Sequence, residues 1–272
     1  MIPKIFLPGV KHVLIVASGK GGVGKTTVTV NLAFALQRAG ASVGIFDADI
    51  YGPNVPLMLG IHRQKTSKGY AALARRKGAP PYIPPLERYG LKIMSVGLLV
   101  AENEVIDPAR SPDAVGNLVV QTLRDVVWGD LDYLLIDLPP SAGQPQAALV
   151  ERVPIDGVVI VTTPQDLSLL DAGRSLKMYQ KAEVPALGVV ENMSYFVCPT
   201  CGEKHEIFQR SEKWQPPALE DAPLLGRIPL TPDISQGINK ANPLMHDQPD
   251  SPQAEAFMAI TAVLRQRLEA NP

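Results

Sequence analysis

An α/β fold, with a mostly parallel sheet and helices on both faces, is predicted by three features of the 272-residue chain. Short runs rich in Val, Ile and Leu alternate with amphipathic stretches long enough to be helices. A glycine-rich stretch ending in Lys-Thr lies directly behind the first of these runs. Later runs end in aspartate, at the strand ends where open parallel sheets bind ligands.

The elements follow in order. "HVLIVAS" (12–18) is a β-branched apolar run and predicts a buried first strand. "VTVNLAFALQRAG" carries Val28, Leu32, Ala35 and Leu36 at helical spacing, with Gly40 as the stop. "SVGIFDAD" predicts the second strand. Residues 62–90 are basic and proline-rich, and predict an irregular surface insertion with a short helix at 70–77. "LKIMSVG" (91–97) resumes the sheet, and a helix over 111–128 starts near Ser111-Pro112. "YLLIDLPP" (133–140), "GVVIVTTP" (157–164) and "ALGVVEN" (186–192) predict three more buried strands, separated by helices near 145–152 and 166–181. "LLGRIPL" (224–230) predicts the last strand and 252–269 the closing helix. No repeat, low-complexity tract or clean linker divides the chain, so residues 1–272 are expected to form one domain.

Composition narrows the function classes. The chain is 46% apolar and 19% charged, with a net charge of −1. That balance predicts no bulk attraction to nucleic acid or to anionic membrane surfaces. No apolar run approaches the ~20 residues of a membrane span. The apolar start runs straight into the glycine-rich stretch and is read as a core strand, not a signal peptide. Two cysteines in one short motif make no disulfide framework and fit a reducing, cytoplasmic setting.

Gly19-Lys20-Gly21-Gly22-Val23-Gly24-Lys25-Thr26 matches G-x-x-x-x-G-K-[ST] in full, with a strand before it and a helix after it. This predicts a P-loop NTPase. Glycines let backbone N–H groups curl around phosphate oxygens, and the following helix, from Thr27 on, adds its positive N-terminal end. Lys25 is expected to reach the β- and γ-phosphates of ATP, and the Thr26 hydroxyl to bind Mg²⁺. "FDADIYGPN" places Asp47 and Asp49 two residues apart at a strand end, expected to face one side. "LLIDLPP" ends an apolar run in Asp137, the pattern that holds Mg²⁺ through a water.

Cys198 and Cys201, in "CPTCG", are the only cysteines. A [4Fe–4S] cluster shared across a dimer, a zinc ion bridging two copies, and thiol–disulfide exchange are the competing readings. Exchange pairs favour a helix N-terminus, which Pro199 and Gly202 oppose. His205 is read as a solvated loop residue. The closing helix bears Phe257, Ile260, Leu264 and Leu268 on one face with few cations, and is expected to pack on the core.

"KGGVGKTT" resembles the deviant phosphate loop of the ParA, MinD and nitrogenase iron protein family. The resemblance implies that Lys20 reaches across a dimer interface to the partner's nucleotide, as a finger supplied in trans. "VKHVLIVASGKGGVGKTTVTVNLA", "GIFDADIYGPNVPLMLGI", "VVIVTTPQDLSLLDA" and "VPALGVVENMSYFVCPTCGEKHEIF" together closely resemble the Mrp/ApbC family, over nearly all of residues 10–245. That implies a MinD-like fold, a homodimer, and an ATPase that carries a [4Fe–4S] cluster on Cys198 and Cys201 to apo iron–sulfur proteins. It assigns Lys20, Lys25 and Asp49 to catalysis, with Asp49 positioning the attacking water. Asp47 falls behind it, towards Mg²⁺ or the phosphate loop, and Asn192 pairs with the adenine edge. Many relatives carry a small extra N-terminal domain, and none is expected here. Three stretches depart from the family pattern. "DLPPSAGQ" replaces D-x-P-P-G-T-G-D, "VIDPARSP" replaces W-R-G-P, and "FQRSE" replaces F-G-x-G-G. Ser141 in place of a switch-loop glycine implies slow hydrolysis.

Overall fold

The computed structural model describes residues 4–62, 83–99, 112–140, 143–198, 200–208, 219 and 222–270. Its strands are β1 (Val10–Ser18), β2 (Val43–Asp47), β3 (Leu86–Arg88), β4 (Leu91–Ser95), β5 (Leu131–Asp137), β6 (Gly157–Thr162), β7 (Ala186–Glu191), β8 (Phe196–Val197), β9 (Lys204–His205) and β10 (Leu224–Arg227). Eight of them form one sheet in the order β10-β7-β6-β1-β5-β2-β4-β3. Every neighbouring pair is parallel except β3–β4. The strands β8 and β9 pair separately as a small antiparallel hairpin.

The helices are α1 (Lys25–Arg38), α2 (Val55–Met58), α3 (Pro112–Asp125), α4 (Gln144–Arg152), α5 (Asp166–Lys181), α6 (Pro232–Asn239), α7 (Leu244–Asp247) and α8 (Pro252–Ala270). They cover both faces of the sheet. Along β1, Leu14 and Val16 face one core with Val28, Leu32 and Leu36 of α1 and Phe257, Ile260, Leu264 and Leu268 of α8. Val13, Ile15 and Ala17 face the other core, with Val119 and Leu123 of α3, Leu149 of α4, and Leu169 and Leu176 of α5. Strand alternation delivers successive side chains to opposite cores, so both faces are apolar and β1 reads as an unbroken run. The closing helix packs on the core as expected; fully burying each such side chain contributes roughly 1.5–3 kcal/mol.

Local signals set several boundaries. The helix α1 ends at Arg38, just before Gly40 at φ +89. A proline in its first turn starts α4, and α5 opens on Asp166 and closes on Lys181, matching the helix dipole at both ends.

Two expectations are corrected. The insertion assigned to 62–90 does not stay outside the fold throughout. Ile83 is buried and bridges to Val126, while Leu86–Arg88 forms the antiparallel edge strand. A basic, proline-rich stretch can serve as an edge strand because only one side of it needs ladder partners. The helix expected at 70–77 lies outside the described residues. The last strand stops at Arg227 instead of 230, and Leu230 bridges to Phe196 of the hairpin instead.

At the opposite end of β5, Asp132 ties three segments together. It accepts from Lys11 Nζ (2.6 Å), the Ser42 backbone N–H (2.8 Å) and Ser42 Oγ (2.8 Å). Those bonds, the Lys11 one first, hold its carboxyl well below the usual carboxylate range. A lowered folded-state value adds stability that is full above the unfolded value and is lost as pH falls through the folded one. Asp132→Asn is therefore expected to lower the urea midpoint at about pH 6, with the gap narrowing only as pH falls from about 4 on through the lower folded-state value. Parallel denaturation curves at about pH 6 and about pH 2 check this, and a gap that does not narrow between them rejects it.

Candidate functional site

The parallel strands β1, β2, β5 and β6 deliver their carboxyl ends to one edge of the sheet. Residues 19–24 wrap that edge and open α1. Gly24 caps the helix at φ +83, where L side chains are strained. A Cβ there would lie 2.2 Å from Asn192 Nδ2, so glycine is required twice over. Gly24→Ala is expected to displace Asn192, cost about 1–2 kcal/mol of stability, and sharply weaken ATP-analogue binding. Thermal unfolding and nucleotide titration test this, and unchanged affinity would contradict it.

The loop encloses a cavity of about 260 Å³, lined by residues 20–27 together with Ser18, Asp49, Asn54, Leu57, Met58 and Pro140. Asp137, fully buried, lies behind its floor and binds three α1 side chains. It accepts from Lys25 Nζ (2.7 Å), Thr26 Oγ1 (2.7 Å) and Thr29 Oγ1 (2.8 Å). A buried ion pair is weak evidence for stability, because desolvation offsets most of the attraction. A loop lysine bonded to a strand-end aspartate is better explained as a site for anionic phosphate and a divalent cation. The donors suit both: a glycine cradle for phosphate oxygens, and a hydroxyl and carboxylates for Mg²⁺.

Asp47 and Asp49 are arranged differently from the expectation. The strand β2 ends at Asp47, so alternation does not place both carboxyls on one face. Asp49, one step beyond Ala48, borders the cavity, and its Oδ1 accepts from the Tyr51 (3.2 Å) and Gly52 (3.0 Å) N–H groups. Asp47 is fully buried and bonds Ser95 Oγ and the Asp49 N–H. Burial, reinforced by the Asp137 charge, pushes the Asp47 carboxyl well above the usual carboxylate range. Burial also raises Asp49, opposed by the Gly52 N–H.

Lys20 borders the cavity but bonds neither carboxylate. Its Nζ lies 3.3 Å from Gln165 Oε1, at the cap of α5. Asn192, at the end of β7, donates from Nδ2 to the Val23 carbonyl (2.8 Å). It also borders a second cavity, about 210 Å³, with Gly24, Thr27, Met193, Pro229–Thr231 and Ile234. Ser141 and Ala142 of the altered switch loop lie outside the described residues. Beside them, Gln146 Nε2 donates to the Pro139 carbonyl (3.2 Å).

The cysteines sit at the tip of the β8–β9 hairpin. The Cys198 N–H donates to the Glu203 carbonyl (2.9 Å) and the Gly202 N–H to the Cys198 carbonyl (2.8 Å), with Gly202 at φ +74 closing the turn. Cys201 is exposed and Cys198 half-buried. Backbone hydrogen bonds from Cys201 and then Thr200, aided by the Cys201 side chain, hold the Cys198 thiol below its usual range. The thiolate is the form that ligates metal. Among the described residues, no group of three or more His, Cys, Asp or Glu gathers as a metal site. The exposed His205 lies 3.7 Å from Glu203 Oε2.

Sequence reasoning missed Thr29, Ser95 and Gln165. Thr29 was accessible in principle, since four residues after Lys25 on a helix is the same face. Ser95 and Gln165 carried no local signal.

A parallel sheet with this phosphate loop behind a central strand, and an acidic strand end facing it, defines a P-loop NTPase of the MinD and ParA type. The solved structures agree. A nucleotide-binding protein from Archaeoglobus fulgidus in complex with ADP superposes with TM-score 0.72 at 30% identity, covering 92% of this chain and 93% of that one. The cell division ATPase MinD of Pyrococcus furiosus superposes with TM-score 0.64 at 25% identity, covering 94% and 98%. The ParA family profile, described as NUBPL iron-transfer P-loop NTPase, matches residues 9–265, and the chain belongs to that family. Its relatives include the iron–sulfur cluster carrier protein of Deinococcus radiodurans, 43% identical over 95% of this chain and 70% of that protein. The iron–sulfur cluster carrier protein of Methanocaldococcus jannaschii is 40% identical over 96% and 87%. The iron–sulfur cluster transfer protein NUBPL of Dictyostelium discoideum is 39% identical over 98% and 80%. Among the described residues, no helix is long and apolar enough to cross a membrane.

Proposed function

We propose that this chain forms a homodimeric, ATP-hydrolysing carrier that holds a [4Fe–4S] cluster between two copies and delivers it to apoproteins. The observation that carries the reading is the hairpin. It presents two thiols, Cys198 held below the usual thiol range by its backbone hydrogen bonds, and no third ligand joins them among the described residues. A cluster commonly takes four thiolates, and a two-fold axis turns two into four.

In this reading Lys25 and the loop amides hold the β- and γ-phosphates, and Thr26 and Asp137 hold Mg²⁺. Mg²⁺ bound there would supply neutralisation of the phosphate charge. Asp49 orients the attacking water, and Lys20 acts at the partner's nucleotide. Asn192 spends one donor on Val23 and keeps a second N–H and its carbonyl for the adenine edge, beside the second cavity. Nucleotide and cargo sites lie close along the chain. From Asn192 the backbone runs through Ser194, whose N–H bonds the Ile228 carbonyl (2.9 Å), and Tyr195, whose carbonyl accepts from Leu230 (2.7 Å), to β8 and Cys198. A change at Asn192 on ATP binding is thereby transmitted to the hairpin.

The same hairpin geometry suits zinc, which gives a second reading: a zinc-bridged, nucleotide-dependent scaffold. Anaerobic purification with metal analysis, followed by reconstitution with iron and sulfide, separates them. The carrier is expected to gain broad visible absorbance and about four iron atoms per dimer. Stoichiometric zinc that survives reconstitution would instead establish the scaffold.

A further inference from the structure

The ends of three adjacent strands meet beneath the loop that carries Asp49. Asp47 of β2 is in register with Asp137 of β5 on one side and Ser95 of β4 on the other. Ser95 is fully buried. Its Oγ accepts from the Gly97 N–H (3.2 Å), which directs its own proton to Asp47 Oδ2 (3.1 Å). The other Asp47 oxygen, Oδ1, accepts from the Asp49 N–H (3.1 Å). Asp49 then closes its turn onto Tyr51 and Gly52.

A second contact pins the same loop to the end of β4. A Cβ at Gly97 would lie 2.3 Å from Pro53 Cγ, so Pro53 packs directly on the backbone there. Asp47 is absent from the cavity lining and Asp49 present in it. The inner aspartate therefore faces the protein on both sides, and the outer one faces the cavity.

We propose that Ser95 is a positioning residue for ATP hydrolysis, acting through Asp47 to fix the backbone, and hence the carboxylate, of Asp49. The proposal rests on the reading that Asp49 orients the attacking water. Ser95 does not line the cavity, and it reaches the Asp49 turn through Asp47. Without its hydroxyl, Asp47 Oδ2 loses the bond that orients it, and the Asp49 turn loses a fixed anchor. Misplacing a water-orienting group by a fraction of an ångström slows chemistry while leaving phosphate contacts intact.

The experiment compares wild type, Ser95→Ala and Asp49→Asn. Ser95→Ala is expected to lower kcat about tenfold with KM for ATP within about twofold of wild type. It is also expected to speed amide hydrogen exchange at residues 49–52 in the nucleotide-free protein. An unchanged kcat, a KM that rises as far as kcat falls, or unchanged exchange at 49–52 would each overturn the proposal. If Asp49→Asn turns over like wild type, the reading of Asp49 itself fails. If Asp49→Asn is inactive and Ser95→Ala is normal, only the role of Ser95 fails.

Discussion

Lys20→Ala is expected to abolish ATP hydrolysis while ATP binding stays close to wild type. The binding half follows from the geometry. The lysine that anchors to the buried carboxylate is Lys25, almost wholly enclosed and 2.7 Å from Asp137. Lys20 bonds neither Asp137 nor Asp49, and its Nζ donates to the neutral Gln165 side chain. Removing its side chain leaves the Lys25–Asp137 contact and the loop backbone in place. The hydrolysis half follows from the trans role proposed for Lys20, since fingers of this kind contribute about 10³–10⁵ in rate. Phosphate release and analogue binding measure the two halves, and unchanged turnover removes the role.

Mixing variants separates trans from cis. In a mixed dimer of Lys20→Ala and Asp49→Asn, the first copy keeps its own Asp49 and receives Lys20 from the second. One of its two sites then works. Equal mixing gives about a quarter of wild-type turnover if the lysine acts across the interface, and none if it acts within its own copy.

Cys198→Ala is expected to eliminate the reconstituted cluster and leave ATP hydrolysis intact. Each dimer would lose two of four thiolates, too few to retain a [4Fe–4S] cluster. The cysteines sit beyond Asn192 on a separate hairpin and take no part in the Asp137 network, so nucleotide chemistry is expected to proceed without their sulfur. Absorbance, iron content and phosphate release read out the variant together. A variant that keeps the absorbance sinks the carrier reading, because no other ligand cluster appears among the described residues.

The pieces of the site were not equally legible. Residues 19–27 are contiguous, so the cradle is written locally, and aspartates 47 and 137 stand out because each closes an apolar run, with Asp49 two residues beyond the first. The Cys-x-x-Cys pair is equally local. The hairpin that holds it was not, since β8 and β9 have two residues each and no periodicity to read. The edge strand Leu86–Arg88 was hidden for a related reason. A three-residue strand in a proline-rich stretch is defined by its partner β4, not by its own pattern.

Asp47 shows the limit most directly. Its spacing from Asp49 suggested a shared face, but the strand ends between them, and the two carboxyls take different partners. The contacts that distinguish them span long separations: Ser95 lies 48 residues from Asp47, and Gln165 lies 145 from Lys20.

What the amino-acid sequence determined alone is the chemistry carried by contiguous residues: a phosphate cradle, its lysines, the strand-end acids and a thiol pair. Local backbone preference and burial pattern are enough for these. The tertiary structure decided which strands are neighbours, and so which side chains finish the site. Ladder hydrogen bonds join backbones and are blind to side chains, and strands buried on both faces look alike in sequence. Only the assembled sheet sets β4, β2 and β5 side by side, bringing Ser95, Asp47 and Asp137 into one row beneath the cavity.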